Sequence, residues 1–325
     1  MGQKVTVQST VMVPNDPKGF NLLVGWIEKN HRQKDIPLVI CMEATGVYYE
    51  SCALYLFEKG YRISVVLPNK AKKYLQALGL KSKNDSIDSK GLAQMGAEQN
   101  LKAWEPMGKY FYELRQFTRQ YQNIQEQITV YKSQLHSLKN SMYISKAIVK
   151  QLDQVIKLFT KQLKELEEQI KNHLESNPEV LQKVEHICRI KGVGTLSLAT
   201  VLAETNGFLL FDNSKQLVSF AGYDVIENQS GKRVGKTKIS KKGNSRIRRI
   251  LFMPAFTVVK CKEAPFLNLY NRTFSNHGIK MKSYVAVQKK LLVIIYSLYK
   301  NNQPYEPTKQ NIQEKEQELP SLLVS

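Results

Sequence analysis

The sequence predicts an α/β domain followed by helical ones, and three observations carry that prediction. The first hundred residues alternate strand-like and helix-like apolar patterns. The middle holds an apolar seam stepping by three and four. From about residue 180 the apolar periodicity is helical again, broken by glycine turns. The expected division is 1–105 for the α/β domain, 106–178 for the helical middle and 179–304 for the helical C-terminal domain. Residues 305–325 follow as a tail.

In KVTVQSTVMVP, Val5, Val7, Val11 and Val13 alternate with mostly polar neighbours, the pattern of a half-buried strand. PNDP then turns the chain into a helix near GFNLLVGWIEKN. PLVICM is a short continuous apolar run, which predicts a strand covered on both faces. After MEATG, Tyr49, Cys52, Ala53, Leu56 and Phe57 fall at helical spacing and Gly60 is placed to end that helix. RISVVLP reads as a third strand. This strand–helix order carries the domain to about Trp104.

Leu114, Phe117, Tyr121, Ile124, Ile128, Tyr131, Leu135 and Leu138 form a coiled-coil seam, and Leu152, Ile156, Phe159, Leu163, Leu166 and Ile170 form a second stripe. Two long helices follow, paired within the chain or between subunits, with oligomerisation as their function. HICRIKGVGTLSLATVLAE places a Gly-x-Gly turn between two helical patterns and resembles a helix-hairpin-helix. Lys191, Gly192 and Gly194 could there offer a charge and backbone N–H groups to a phosphate; a tight turn without a ligand is the plain alternative. VAVQKKLLVIIYSLY reads as a buried helix, and the polar segment from Tyr305 as a disordered tail.

Composition narrows the partners. Net charge is +20, from 48 basic and 28 acidic residues, which favours nucleic acid or another anionic surface. No uninterrupted apolar run approaches about 18 residues, so membrane insertion is not indicated. The four cysteines are scattered without a CxxC pair. That argues against zinc and a disulfide framework and fits a reducing cytosol.

The chemistry has two candidate seats. Residues 229–249, QSGKRVGKTKISKKGNSRIRR, hold nine lysines and arginines, three serines and no acid. A polyanion held still for attack by a serine would need such charge; a solvated basic loop would show it too. Ser230 precedes a glycine and could be a turn residue, and Ser240 and Ser245 compete with it. A serine nucleophile needs a base, a metal or surrounding cations, and no histidine lies nearby in sequence. The second seat is acidic. Glu43 ends an apolar run, and Asp85 and Asp88 stand three apart on one helical face in SKNDSIDSKGLAQ. Carboxylates brought together suit Mg²⁺. Taken alone, Asp85 could cap a helix and Asp88 complement its dipole.

MEATG, NDSIDSKGLA, IKGVG, FAGY and QSG…KISKKGNSRIRRILFMPA occur in this order and at spacing that resembles the DEDD transposases of the insertion-sequence one-ten family, relatives of the pilin-gene invertase. The likeness runs from about residue 3 to residue 304. It implies a RuvC-like, ribonuclease-H-like N-terminal domain, with Glu43, Asp85 and Asp88 matching three of the family's four metal-binding carboxylates. Ser230 matches the serine of its C-terminal domain. It also implies Mg²⁺, donor and target DNA, a structured noncoding bridge RNA, and dimers or tetramers with a composite active site. Lys232, Arg233, Lys236, Lys238, Lys241, Lys242, Arg246, Arg248 and Arg249 would grip phosphates. The expected setting is the cytoplasm of a bacterium or archaeon, at the nucleoid.

One departure stands out. The family's first aspartate lies on an initial strand, and nothing here matches it; Asp16 sits in a turn. The expectation is a reading frame shortened at its 5′ end, or misassigned, with the first strands missing. A catalytically dead nucleic-acid-binding remnant and a metal-dependent junction nuclease are the rival readings.

Overall fold

The computed structural model describes residues 6–33, 35–79, 84–227, 229–230, 233–235 and 237–306. The chain divides into two compact units, Met1–Pro106 and Met107–Ser325.

The first unit runs α1 (Pro17–Asn30), β1 (Val39–Glu43), α2 (Glu50–Glu58), β2 (Arg62–Val66), α3 (Pro68–Ala77) and α4 (Asp85–Glu98). Asp16 starts α1 as its N-cap, its Oδ1 accepting from the Gly19 N–H at 2.7 Å, and Pro17 supplies a preset φ. Gly19 cannot be replaced without movement, because a Cβ there would stand 1.9 Å from the Pro14 carbonyl oxygen. β1 and β2 are parallel, Val39 opposite Arg62 and Glu43 opposite Val66, with α2 as the crossover. Two small cores flank them. Ile27, Leu56 and Ile63 form one; Val66, Ala71, Met95 and Leu101 form the other.

Two expectations fail in this unit. Residues 6–15 form no strand, and Val7 is 52% exposed. Apolar alternation says which face a strand would bury but supplies no neighbour for its N–H and C=O groups. Among the described residues the sheet here has only β1 and β2. β1 itself is half-buried along its length rather than covered on both faces.

The second unit opens with α5 (Lys109–Lys139) and α6 (Lys146–Glu175). They pack antiparallel within the chain: Tyr110 stacks on His173, the Tyr121 hydroxyl donates to Glu167, and Tyr131 meets Phe159. Leu114, Tyr121, Ile124 and Ile128 of the seam are buried. Tyr131, Leu135 and Leu138, nearer the tip, are only half-buried.

Then follow α7 (Pro178–Cys188), α8 (Thr195–Thr205), α9 (Ser214–Ala221), β3 (Val225–Ile226), β4 (Gln229–Ser230), β5 (Arg233–Val234), β6 (Lys238–Ile239), α10 (Ser245–Ile250), α11 (Phe252–Lys260), α12 (Ala264–His277) and α13 (Lys280–Asn301). α8 is the core helix, buried without interruption from Leu198 to Thr205 and packed on α5 and α10. α13 lies across α7, α9, α11 and α12 and buries Val287, Leu291, Leu292 and Ile295. Gly192 turns α7 toward α8 at φ +104, and a Cβ there would meet the Thr257 side chain at 2.7 Å. Packing on α11 therefore accounts for this glycine without a ligand. Tyr305, expected to open the tail, is buried: its N–H donates to the His186 carbonyl and its hydroxyl to Glu263. Residues 307–325 lie outside the described residues. Among the described residues no helix is long and apolar enough to cross a membrane.

Candidate functional site

Ser230 stands on a β-ribbon built in two tiers. In the inner tier β3 pairs antiparallel with β6, Val225 opposite Ile239 and Ile226 opposite Lys238. In the outer tier β4 pairs antiparallel with β5, Gln229 opposite Val234 and Ser230 opposite Arg233. The serine thus stands on the hairpin segment that links α9 to α10.

Two glycines lock the root of this ribbon. Gly222 ends α9 at φ +75, and a Cβ on it would come within 2.8 Å of Arg248 Nη1 and 3.2 Å of Gly243 N. A Cβ on Gly243 would stand 2.4 Å from the Phe220 carbonyl oxygen and 2.6 Å from Gly222 N. The FAGY and KKGN motifs therefore cross with their backbones in contact, which only glycine permits. Main-chain bonds close the crossing: Lys241 N–H to Gly222 O at 3.1 Å and Asn244 N–H to Phe220 O at 2.7 Å.

Next to the crossing, Asn244 joins a polar network centred on the buried Glu204. Asn244 caps α10, its Oδ1 accepting from the N–H groups of Arg246 and Ile247, while its Nδ2 donates to Glu204 Oε2 at 2.7 Å. Arg119 of α5 donates to the same carboxylate twice, Nε to Oε1 at 2.7 Å and Nη2 to Oε2 at 2.9 Å. Burial pushes the Glu204 carboxyl up, but the hydrogen bonds and charge of Arg119, with the Asn244 bond, outweigh it and hold the carboxyl below its usual range. Tyr223, next to Gly222, donates its hydroxyl to Gln288 at 2.9 Å, and burial raises its phenol strongly.

The basic residues divide into two sets. Lys238, Lys241 and Lys242 are exposed. The arginines of α10 instead make bonds within the unit. Arg246 donates to the buried Gln122 at 3.0 Å, Arg248 to the Ala221 carbonyl at 2.7 Å, and Arg249 pairs with Glu126. These bonds staple α10 to α5 and α9, a role that the expectation of phosphate grips did not include. The ribbon's Arg233 is placed by its backbone pairing with Ser230, and Lys232 and Lys236 lie outside the described residues. In the turn before α8, Lys191 and Gly194 are exposed, Gly194 as the helix N-cap.

In the first unit, Glu43 ends β1 and accepts from the Thr45 hydroxyl at 3.1 Å. Asp85 and Asp88 lie in the first turn of α4. The cap of that helix is Asn84, accepting from Ile87 N–H at 2.8 Å, so Asp85 is not the cap. α4 packs on β1 with Gly96 against Cys41, and beyond its end Leu101 accepts from Arg62 at the start of β2. The first turn of α4 therefore points toward the carboxyl end of the strands, where Glu43 lies. Asp16, spent on capping α1, adds nothing to this set. The donor chemistry is that of a hard divalent cation. Among the described residues, however, no three His, Cys, Asp or Glu side chains come together as a metal-binding group.

A family model described as "Transposase IS116/IS110/IS902 family" matches residues 184–271, which hold the glycine turn, the ribbon and its root. A second, for DEDD transposases of the same group and described as "Transposase", matches residues 2–144. The chain belongs to this transposase family. It is also similar to the pilin gene-inverting protein of Moraxella bovis, 27% identical over 293 residues that span 90% of this chain and 89% of that protein. The pilin gene-inverting protein of Moraxella lacunata is similar to the same extent.

Sequence reasoning missed the residues that hold this transposase's ribbon in place. A signal for Glu204 existed: it is the one charged side chain in TLSLATVLAET, an otherwise apolar and hydroxylic helix. A charge so placed needs a partner. Nothing comparable marked Arg119, one of two arginines along α5.

Proposed function

We propose that this chain is a DNA recombinase that cuts and exchanges strands through Ser230, with a structured RNA supplying most of the sequence recognition. The observation that supports it best is the ribbon. Ser230 pairs through its backbone with Arg233, on a hairpin that also carries the exposed Lys238 and is closed at its base by the Gly222–Gly243 crossing. Such a mount suits a nucleophile that must meet one phosphate in line.

The Ser230 hydroxyl oxygen attacks a backbone phosphorus. An Oγ–P bond forms, a P–O bond to the deoxyribose breaks, and the serine proton is balanced by protonation of the leaving sugar hydroxyl. The phosphoserine ester keeps the bond energy until a sugar hydroxyl of the exchanged strand attacks and releases the serine. Lysines of the ribbon and its root, Lys238, Lys241 and Lys242 among them, neutralise the non-bridging oxygens as charge builds on them. Glu43, Asp85 and Asp88 would hold Mg²⁺, which supplies Lewis-acid polarisation of the phosphate when bound. Two or four copies would assemble the complete site, the serine of one subunit working with the carboxylates of another.

The test is to mix the full chain with its element's DNA and the flanking noncoding RNA, denature, and look for DNA still attached to protein. The wild type should form that adduct. Ser230→Ala should form none while still binding DNA and RNA. Cutting that survives Ser230→Ala would mean a nuclease using water, and binding without cutting by the wild type would mean a remnant; either overturns the reading.

A further inference from the structure

Five aromatic rings form a continuous strip across α11, α12 and α13. Phe252 lies 4.9 Å from Phe256 between ring centroids, and Phe256 stacks on Tyr284 at 3.7 Å with planes 20° apart. Tyr284 meets Tyr270 at 4.8 Å, and Tyr270 lies near-parallel to Phe274 at 6.0 Å. Tyr270 and Tyr284 pack at the margin of the core, in which Val258, Phe266, Val287 and Leu291 are fully buried. The two end rings, Phe252 and Phe274, are 39% and 36% exposed.

The surroundings are cationic. Lys260 follows Phe252 and Phe256 at steps of four along α11, and Lys280 precedes Tyr284 by four on α13, so both exposed lysines continue the aromatic stripes. From residue 228 through residue 305 the sequence has a single acidic residue, Glu263. It is buried and accepts from the Tyr305 hydroxyl at 3.1 Å. That one carboxylate stands against the many lysines and arginines of the stretch, so the charge around the strip complements a polyanion.

Aromatic faces beside lysines select among polyanions. In a duplex each base face is covered by its neighbours and only edges are offered. An unpaired strand presents faces to stack and phosphates to neutralise. We infer that the Phe252–Phe256–Tyr284–Tyr270–Phe274 strip is a stacking platform for single-stranded DNA. The inference rests on the proposed function in one respect: strand exchange creates an unpaired DNA strand that has to be held.

The experiment measures fluorescence anisotropy of the full-length protein with a labelled thymidine oligomer of about 20 nucleotides, longer than a typical single-strand site. A DNA duplex and a uridine oligomer of equal length are run beside it. Replacing both end rings, Phe252→Ala with Phe274→Ala, should weaken thymidine-oligomer binding about tenfold or more, given the usual strength of base–aromatic stacking. Duplex affinity should stay as in the wild type. Phe252→Tyr with Phe274→Tyr should restore binding, since the ring face is what matters. A 2-aminopurine placed in the oligomer should be quenched by the wild type and much less by the alanine variant.

Four results would overturn the inference. These are unchanged thymidine-oligomer affinity, equal loss on duplex and single strand, loss confined to the uridine oligomer, or a changed oligomeric state with DNA binding intact. The last would make the strip a protein contact. Neither oligomer affinity nor 2-aminopurine quenching requires a strand to be cut, so failure of the serine chemistry and failure of the platform are read separately.

Discussion

Arg119 and Glu204, 85 positions apart, meet through two parallel hydrogen bonds, and the acid is the buried partner: its side chain is 2% exposed against 42% for the arginine. The asymmetry decides which loss is worse. Arg119→Met leaves a buried carboxylate with the Asn244 hydrogen bond and the more distant charge of Arg115, and should cost about 3 kcal/mol in urea unfolding. Glu204→Gln leaves an arginine that can turn to water and an amide that can still accept from Asn244, so about 1 kcal/mol is expected. Equal costs would mean that burial of the acid does not matter.

The same pair predicts a pH dependence. Glu204 has a native pKa below its ordinary value of 4.5, so in that range the unfolded chain binds more protons than the folded one. The stabilisation is whole above about pH 4.5 and is lost as pH falls through the lower native value. Thermal unfolding followed between neutral pH and pH 3 should therefore show a steeper acid decline in the wild type than in Glu204→Gln.

At the ribbon's root, Gly243→Ala must force a methyl group against the Phe220 carbonyl. A loss of about 1–3 kcal/mol is expected, together with loss of the serine–DNA adduct. Gly25→Ala is the control, because a Cβ at that helical position meets nothing within 4 Å. It should stabilise α1 by about 0.5–1 kcal/mol and leave the adduct unaffected.

Capping and chemistry separate at α4. Asn84→Ala removes the cap and should cost about 1 kcal/mol. Asp85→Asn spares the cap and should change stability by less than about 0.5 kcal/mol, yet abolish DNA cleavage if the acid belongs to the proposed carboxylate set. Unfolding midpoints and adduct yield, measured on both variants, check the pair of outcomes.

For the cations, Lys241→Ala with Lys242→Ala should lower the salt slope of DNA binding by about two with little loss of stability, one phosphate for each lysine. Arg248→Ala should act mainly on stability, since it removes the bond that closes the end of α9.

What the sequence made legible follows from the range of each signal. The α5 seam was readable because every step lies three or four residues away on one helix, and Asp16, Gly60 and Pro17 announced local turns. Residues 6–15 misled because alternation is local whereas a strand needs a distant partner. Arg246, Arg248 and Arg249 looked like free charge because their acceptors, Gln122, Ala221 and Glu126, lie far off in the chain. For the same reason the crossing of Gly222 and Gly243 was invisible, although both motifs that contain it had been singled out. The pairing of Ser230 with Arg233 lies within reach of a turn prediction; the glycine crossing at the base of the ribbon does not.

Tyr305 sets a practical limit on where this protein can be shortened. Its hydroxyl and backbone N–H fasten the last described segment to Glu263 and to the end of α7, so ending the chain at Pro304 would strip a buried carboxylate of a donor and remove a buried ring from the core. A cut placed after Glu306 keeps that latch shut.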